Sequence, residues 1–435
     1  MAILVDKPDT MQNEVIHITA ENLKPKQVYT FKMILSHNYG THKSFATFRS
    51  DVSGRIDLTH MSPLRGTYEG ADPMGLFLSM APCEDFAFGG YLRCTPPVPF
   101  YYLLQLLDSS EKIVDSTYIK KHWCHPALER TELETKDFGF CGTLFKPPGP
   151  GPHPCIMDLS GTGGGIHEHK GAMLASEGFV VLCVAFFQYK DLPAKMEDAD
   201  LDYFKAPIEF LMSRDYTRPI MGIQGVSFGA TIVDLLATRH GDRIKAVVSI
   251  NGPCVVSDYV FMKEHGVDLP HLSHGQVSLE TMRFRNGILL TDKNFQYLTQ
   301  ELTEKTEIPW HRIPSDVKLR VIGSVDDTCQ PSVHATLYRQ KRLKETGHDV
   351  EVELVNGGHI MEPPYFPHHE LVYAKFQGFY CGYGGEVVLH AKSQEKTWSN
   401  TISFFKRALG ATISMPTWSK LTRITPPKRE NEAKI

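Results

Sequence analysis

The pentapeptide Gly225-Val226-Ser227-Phe228-Gly229 sets a serine between two glycines, after the apolar stretch "IMGIQ" and before the helix-prone "ATIVDLLATRH". A serine on a sharp strand-to-helix turn projects its Oγ clear of the sheet. Glycines two residues away on each side let strand and helix approach closely. Such a serine is a candidate nucleophile for acyl transfer, and it needs a base to take its proton and a carboxylate to orient that base. On folds that use this turn the partners follow in the order acid, then histidine. Downstream, "RVIGSVDDTCQ" carries Asp326 and Asp327 just after an apolar strand, and "VELVNGGHIMEPPYFP" carries His359 just after another. The reading takes His359 as base and prefers Asp326 as acid, with Asp327 as the other choice.

The sequence holds 20 histidines. His359 stands out because Gly357-Gly358 precede it at a strand end and free the backbone to present the ring. His167 and His169 alternate after a glycine loop, but no second cluster with ligand spacing accompanies them. They read as loop or surface residues, and the pair His368-His369 reads as solvent-exposed. A tetrahedral oxyanion needs two aimed N–H groups. One is expected from Phe228, directly after the nucleophile, and the other from the loop "DLSGTGGG" at 158–165, at Thr162 with Gly163 next. A phosphate cradle in that loop is excluded, because no Gly-Lys-Ser/Thr ending and no G-x-G-x-x-G before a long helix is present.

These residues need a scaffold, and the chain has two rhythms. From about 14 to 125 it reads as short alternating strands such as "NEVIHITAENL" and "QVYTFKMILS", the pattern of a β-sandwich. After the charged stretch "HPALERTELETKD" (125–137), apolar strands alternate with helical segments, which implies βαβ units around a mostly parallel sheet. The expected organisation is an N-terminal sandwich over 1–130, an α/β catalytic domain over 131–415, and a loose basic tail over 416–435.

Bulk properties narrow the function classes. A formal net charge of -4 over 435 residues gives no support for nucleic-acid binding. Nine cysteines without CxxC spacing read as free thiols in a reducing compartment. The start lacks a basic region followed by an apolar core, and the longest apolar run, "GFVVLCVAFF", is far short of the roughly 20 residues of a membrane helix. The terminal Ala-Lys-Ile is a loose variant of a peroxisomal address, so the expected location is peroxisomal or cytoplasmic.

Most of the chain resembles the acyl-CoA thioesterase family that includes bile acid-CoA:amino acid N-acyltransferase. The resemblance is carried by "GTYEGADPMGLFLSM", "GTLFKPPGPGPHPCIMDLSGTGGG", "QYKDLP", "GVSFG", "VVSINGP", "GSVDD", "GGHIMEPPYFP" and "GGEVVLHAKSQEKTW". It implies an immunoglobulin-like sandwich joined to an α/β-hydrolase domain, an acyl-CoA substrate, and roles for Ser227, Asp326 and His359 as nucleophile, acid and base. Two departures are visible. Phe228 fills a position where the family's thioesterases often have lysine, and "DTCQPS" after Asp326 differs. The family's acyltransferase branch uses cysteine as nucleophile, and its thioester stays energetic enough for an amine to attack. Ser227 gives a less activated oxygen ester, which favours water. The expectation is therefore fatty acyl-CoA hydrolysis without metal or redox cofactor. Transfer to glycine or taurine is the nearest rival, and esterase or peptidase activity a further one.

Overall fold

In a computed structural model the chain is described over residues 2–83, 89–92, 94–257, 262–272, 282–293, 300–374 and 378–416. The expected tail beyond Pro416 lies outside the described residues.

Strict alternation builds the N-terminal unit. In Val28–His37, Tyr29, Phe31, Met33 and Leu35 turn inward while the residues between them are only partly buried. That strand forms a hairpin with Gly40–Arg49 and also pairs with Phe100–Leu107, which in turn pairs with Ile113–His122. Asp9–Met11 adds to the far edge in parallel. A three-stranded sheet of Ile3–Val5, Ile18–Ala20 and Ile56–Asp57 faces this larger one. Ile3, Ile18 and Ile56 from the small sheet share one core with Phe31, Met33 and Phe48 of the large one.

The second unit is an eight-stranded sheet built from β1 (Glu129–Leu133), β2 (Cys141–Lys146), β3 (His153–Leu159), β4 (Val180–Ala185), β5 (Thr217–Val226), β6 (Ile244–Ile250), β7 (Lys318–Ser324) and β8 (Val350–Val355). Their order across the sheet is β1-β2-β4-β3-β5-β6-β7-β8. The pairings of β2 with β1 and β4 are antiparallel, and the remainder are parallel. This is the α/β-hydrolase arrangement that the alternating apolar segments predict. The expected domain boundary at 130/131 falls within β1, so the hydrolase sheet begins slightly before it.

The central strands are apolar throughout because both faces are covered. Val180, Leu182 and Val184 of β4 enter a core with Ile208 of helix α2 (Lys205–Met212), Ile232 and Leu236 of helix α3 (Phe228–His240) and Leu343 of helix α4 (Ser332–Glu345). Val181, Cys183 and Ala185 point the other way. They join Ala172 and Leu174 of helix α1 (His169–Ala175), Phe404 and Phe405 of helix α5 (Val387–Leu409), and the interior of the N-terminal unit. The two units therefore share one continuous apolar core. Among the described residues no helix is long and apolar enough to cross a membrane.

Candidate active site

Parallel strands place their C-terminal ends along one edge, and three of those ends carry the candidate chemistry. Ser227 directly follows β5 and opens α3, with φ 57° and ψ -122°. For a non-glycine residue this backbone costs on the order of 1–3 kcal/mol, so its surroundings must enforce it. The Ser227 N–H donates to Ile250 O at 2.9 Å, and the Ser227 carbonyl accepts from Ala230 N–H at 3.0 Å. Both glycines of the pentapeptide are sterically required. A Cβ on Gly225 would fall 2.2 Å from Gly229 O, and one on Gly229 would fall 2.4 Å from Ser160 O.

His359 meets the serine across 132 residues of sequence. Its Nε2 lies 2.9 Å from Ser227 Oγ, and its Nδ1 lies 2.8 Å from Asp327 Oδ2. The ring is 2% exposed, which shields the pair from water. Burial alone would depress the imidazolium, but the Asp327 carboxylate and the nearby Cys329 outweigh it and hold the His359 pKa well above its usual value.

The acid is the first correction to the sequence reading. Asp327, not Asp326, faces His359. Val325 N–H donates to Val355 O and Asp326 N–H to Gly357 O, so the β7–β8 ladder continues past the strand ends. Asp326 falls on the exposed side of that extension, where its Oδ2 accepts from Gly385 N–H at 3.1 Å. One residue later the chain turns. The Asp327 Oδ1 caps the turn by accepting from Cys329 N–H at 2.8 Å and Gln330 N–H at 2.9 Å, while Oδ2 accepts from Ser332 Oγ as well as from the imidazole. Every acceptor site that orients this carboxylate is thus occupied.

Phe228 is the first residue of α3, and the first N–H groups of a helix have no intrahelical acceptor. Its side chain is fully buried and meets Phe186 with ring centroids 6.1 Å apart. An ammonium in that place would be desolvated at a cost, so the site suits an aromatic ring. The loop after β3 brings Gly161 against Ser227, where an added Cβ would lie 3.0 Å from Ser227 Cβ and 3.5 Å from Oγ. Thr162 follows in the exposed turn of the same loop.

The other histidines give the second correction. His169, His368 and His369 are buried rather than exposed, while His167 is partly buried. His169 Nε2 lies 2.9 Å from Glu362 Oε2, and the other carboxylate oxygen of Glu362 accepts from Tyr91 of the N-terminal unit. Burial opposes the charge of Glu362, yet Lys170, with its Nζ 3.5 Å away, and His169 hold the pKa well below the carboxylate range. The His369 ring packs against His42 and Tyr91 at 5.2 and 5.1 Å. His368 packs against His390 at 4.6 Å, and His390 Nδ1 accepts the N–H of Gly358 at 3.0 Å. The contacts of Glu362 and His369 with His169, Tyr91 and His42 reach far across the sequence, and the signal for them is the unusual run after His359. Among the described residues no group of three or more His, Cys, Asp or Glu could hold a metal ion.

Two family models match the chain. One describes the acyl-CoA thioester hydrolase/BAAT N-terminal region, over residues 13–135, and the other the BAAT/acyl-CoA thioester hydrolase C-terminal region, over residues 199–411. The chain is 31% identical over 431 residues to bile acid-CoA:amino acid N-acyltransferase of Mus musculus, covering 94% of this chain and 96% of that one. It is 30% identical over 411 residues to the peroxisomal succinyl-coenzyme A thioesterase of Mus musculus, covering 92% and 95%. An acylaminoacyl peptidase structure from Pyrococcus horikoshii aligns with a TM-score of 0.42 and 16% identity, over 72% of this chain and 48% of that one. Matched in both regions and to relatives along nearly its whole length, with its serine on a strand-to-helix turn of an α/β sheet, this chain belongs to the acyl-CoA thioester hydrolase and bile acid-CoA:amino acid N-acyltransferase family.

Proposed function

We propose that the chain hydrolyses acyl-CoA thioesters, fatty acyl-CoA in particular, with Ser227 as nucleophile, His359 as general base and acid, and Asp327 as the carboxylate that orients the imidazole. The observation that carries this reading is the unbroken Ser227–His359–Asp327 hydrogen-bonded relay at the strand ends. His359 Nε2 takes the Ser227 proton as Oγ attacks the thioester carbonyl. The tetrahedral oxyanion is received by the N–H of Phe228 and by the loop after β3 at Thr162. The C–S bond then breaks, and His359 returns the proton to the departing CoA sulfur. Water, deprotonated by the same imidazole, attacks the acyl-serine ester and releases the carboxylic acid. Asp327 orients and stabilises the imidazolium at each stage.

Serine rather than cysteine favours hydrolysis, since an oxygen ester is a poorer acyl donor to amines than a thioester. The likeness to an N-acyltransferase keeps transfer to glycine or taurine as the second reading. The peroxisomal location in one relative's name supports a peroxisomal site of action, with the cytoplasm as the other. The test is turnover across acyl-CoA chain lengths with and without glycine and taurine. Free acid as the main product under all conditions supports hydrolysis, and an N-acyl conjugate as the main product overturns it. Ser227→Ala is expected to abolish either activity.

A further inference from the structure

We infer that Asn251 is a positioning residue for this chemistry, fixing the catalytic histidine relative to the nucleophile; the inference rests on the hydrolytic reading of Ser227 and His359. Asn251 is the first residue after β6 and is 1% exposed. Its backbone lies in the left-handed region at φ 49°, which asparagine tolerates better than most side chains. The carboxamide touches two of the site's loops at once. Its Oδ1 accepts from Ser324 N–H at 2.8 Å, at the end of the strand that leads to Asp327. Its Nδ2 donates to His359 O at 2.7 Å and to Ser324 Oγ at 2.9 Å, with Gly358 O at 3.2 Å.

The neighbouring backbone completes the frame. The Asn251 N–H donates to Ile322 O at 3.0 Å, and the carbonyl of the preceding Ile250 accepts the N–H of Ser227 at 2.9 Å. The serine and the histidine thus take their positions from adjacent residues of one strand end. On its other side the His359 N–H donates to Tyr383 O at 2.7 Å. The histidine backbone is therefore clamped at both ends of its own residue, by Tyr383 at the N–H and by Asn251 at the carbonyl.

The chemistry selects a carboxamide. One side chain must accept from a buried N–H and donate to buried carbonyls a few ångströms away. Among side chains of this size only asparagine carries both functions on one planar group. A carboxylate would keep the acceptor but face carbonyl oxygens with lone pairs, and an apolar isostere would leave the Ser324 N–H and the His359 carbonyl unpaired in the interior. Asn251 touches no reacting atom in this frame, so it acts through the distance between Nε2 and Oγ. A displacement of about 1 Å at a reacting geometry costs on the order of 100-fold in rate.

The test uses the full chain carrying Asn251→Gly, which suits the left-handed backbone and adds no charge, and Asn251→Asp, which keeps the shape. The expected result is a folded protein by circular dichroism, kcat for acyl-CoA reduced roughly 100-fold with KM within about threefold, and labelling of Ser227 by a fluorophosphonate slowed in parallel. In Asn251→Gly the acid limb of the rate profile is also expected to move toward the ordinary imidazole value, as His359 loosens from Asp327. A merely structural role would not produce that shift. Wild-type kcat and an unmoved acid limb in folded Asn251→Gly, beside an inactive Ser227→Ala, overturn the positioning role alone. Full activity in Ser227→Ala overturns the underlying reading instead. If only Asn251→Asp folds, kcat and labelling in that variant decide, and loss of folding in both makes Asn251 a residue of the fold and overturns the proposal.

Discussion

Two adjacent aspartates with opposite surroundings allow the relay to be tested by one pair of conservative changes. Asp327→Asn keeps the shape and the capping oxygen for Cys329 and Gln330 N–H, but it removes the charge that faces His359 Nδ1 at 2.8 Å. The amide also favours the wrong imidazole tautomer, since Nδ1 must donate and Nε2 must accept. In a hydrolytic triad of this kind the same change lowers kcat by about 10⁴. At 1.36 kcal/mol per decade, that corresponds to about 5.4 kcal/mol of lost transition-state stabilisation. Asp326→Asn loses only charge assistance on one hydrogen bond, to Gly385 N–H at 3.1 Å, from an exposed carboxylate. An interaction of that class is worth about 1 kcal/mol or less, so kcat is expected to stay within about fivefold of wild type. The assay is CoA release from a saturating acyl-CoA, followed with a thiol reagent. Equal losses in the two variants, or more than a tenth of wild-type kcat in Asp327→Asn, would refute the assignment of Asp327 to the relay.

The raised pKa of His359 means that the base becomes free only as pH rises through that value, so the acid limb of kcat/KM is expected above the ordinary imidazole value of about 6.5. A limb below pH 6 would contradict this. Burial pushes His390 down to about 3 and lowers His368 and His369 as well. As pH falls below about 6.5 the unfolded chain takes up these protons first, so stability present above that pH is lost progressively toward the folded-state values, by up to about 1.4 kcal/mol per pH unit for each histidine. Urea unfolding at several pH values should show a shallower acid slope in His390→Gln, which can still offer an acceptor to Gly358 N–H, and an unchanged slope would count against it. Gly229→Ala forces a Cβ to within 2.4 Å of Ser160 O and 2.8 Å of Leu159 O, so it should destabilise the chain by about 1–3 kcal/mol and slow fluorophosphonate labelling of Ser227. An unaltered melting temperature would show that the elbow has more slack than these distances allow.

Much of the scaffold was legible because the elements obey simple periods. The strand-to-helix switch at Ser227, the apolar runs of β3 to β7 and the alternation of Val28–His37 follow directly from burial on one face or two. Ser227, Phe228 and His359 could be singled out for the same reason, since each stands where such a run ends, and the structure brings Ser227 and His359 together. The choice between Asp326 and Asp327 was not legible, because it turns on whether the β7–β8 ladder stops at Ser324 or continues to Asp326. Adjacent residues of a ladder fall on opposite sides, and the point at which the chain leaves the ladder decides which aspartate turns toward His359. Nor could sequence spacing show that His368 and His369 are covered. The groups that cover His369, namely His42 and Tyr91, lie in another unit, and His390, which packs on His368, lies on α5, so neither histidine is marked by a local period. Asn251 looked like one more residue in a strand-end motif, and only the convergence of β7 and the His359 turn on its carboxamide distinguishes it.

The clasp around Glu362 bears on how such a chain can diverge. Its carboxylate takes one partner from the N-terminal unit, at Tyr91, and others from the first turn of α1, at His169 and Lys170, while its own backbone lies three residues from His359. Exchanging the N-terminal unit for a relative's would leave the hydrolase sheet whole yet take one hydrogen-bond donor from a buried carboxylate unless a matching hydroxyl arrived with it. A change at Tyr91 in the first half is therefore felt three residues from His359 in the second.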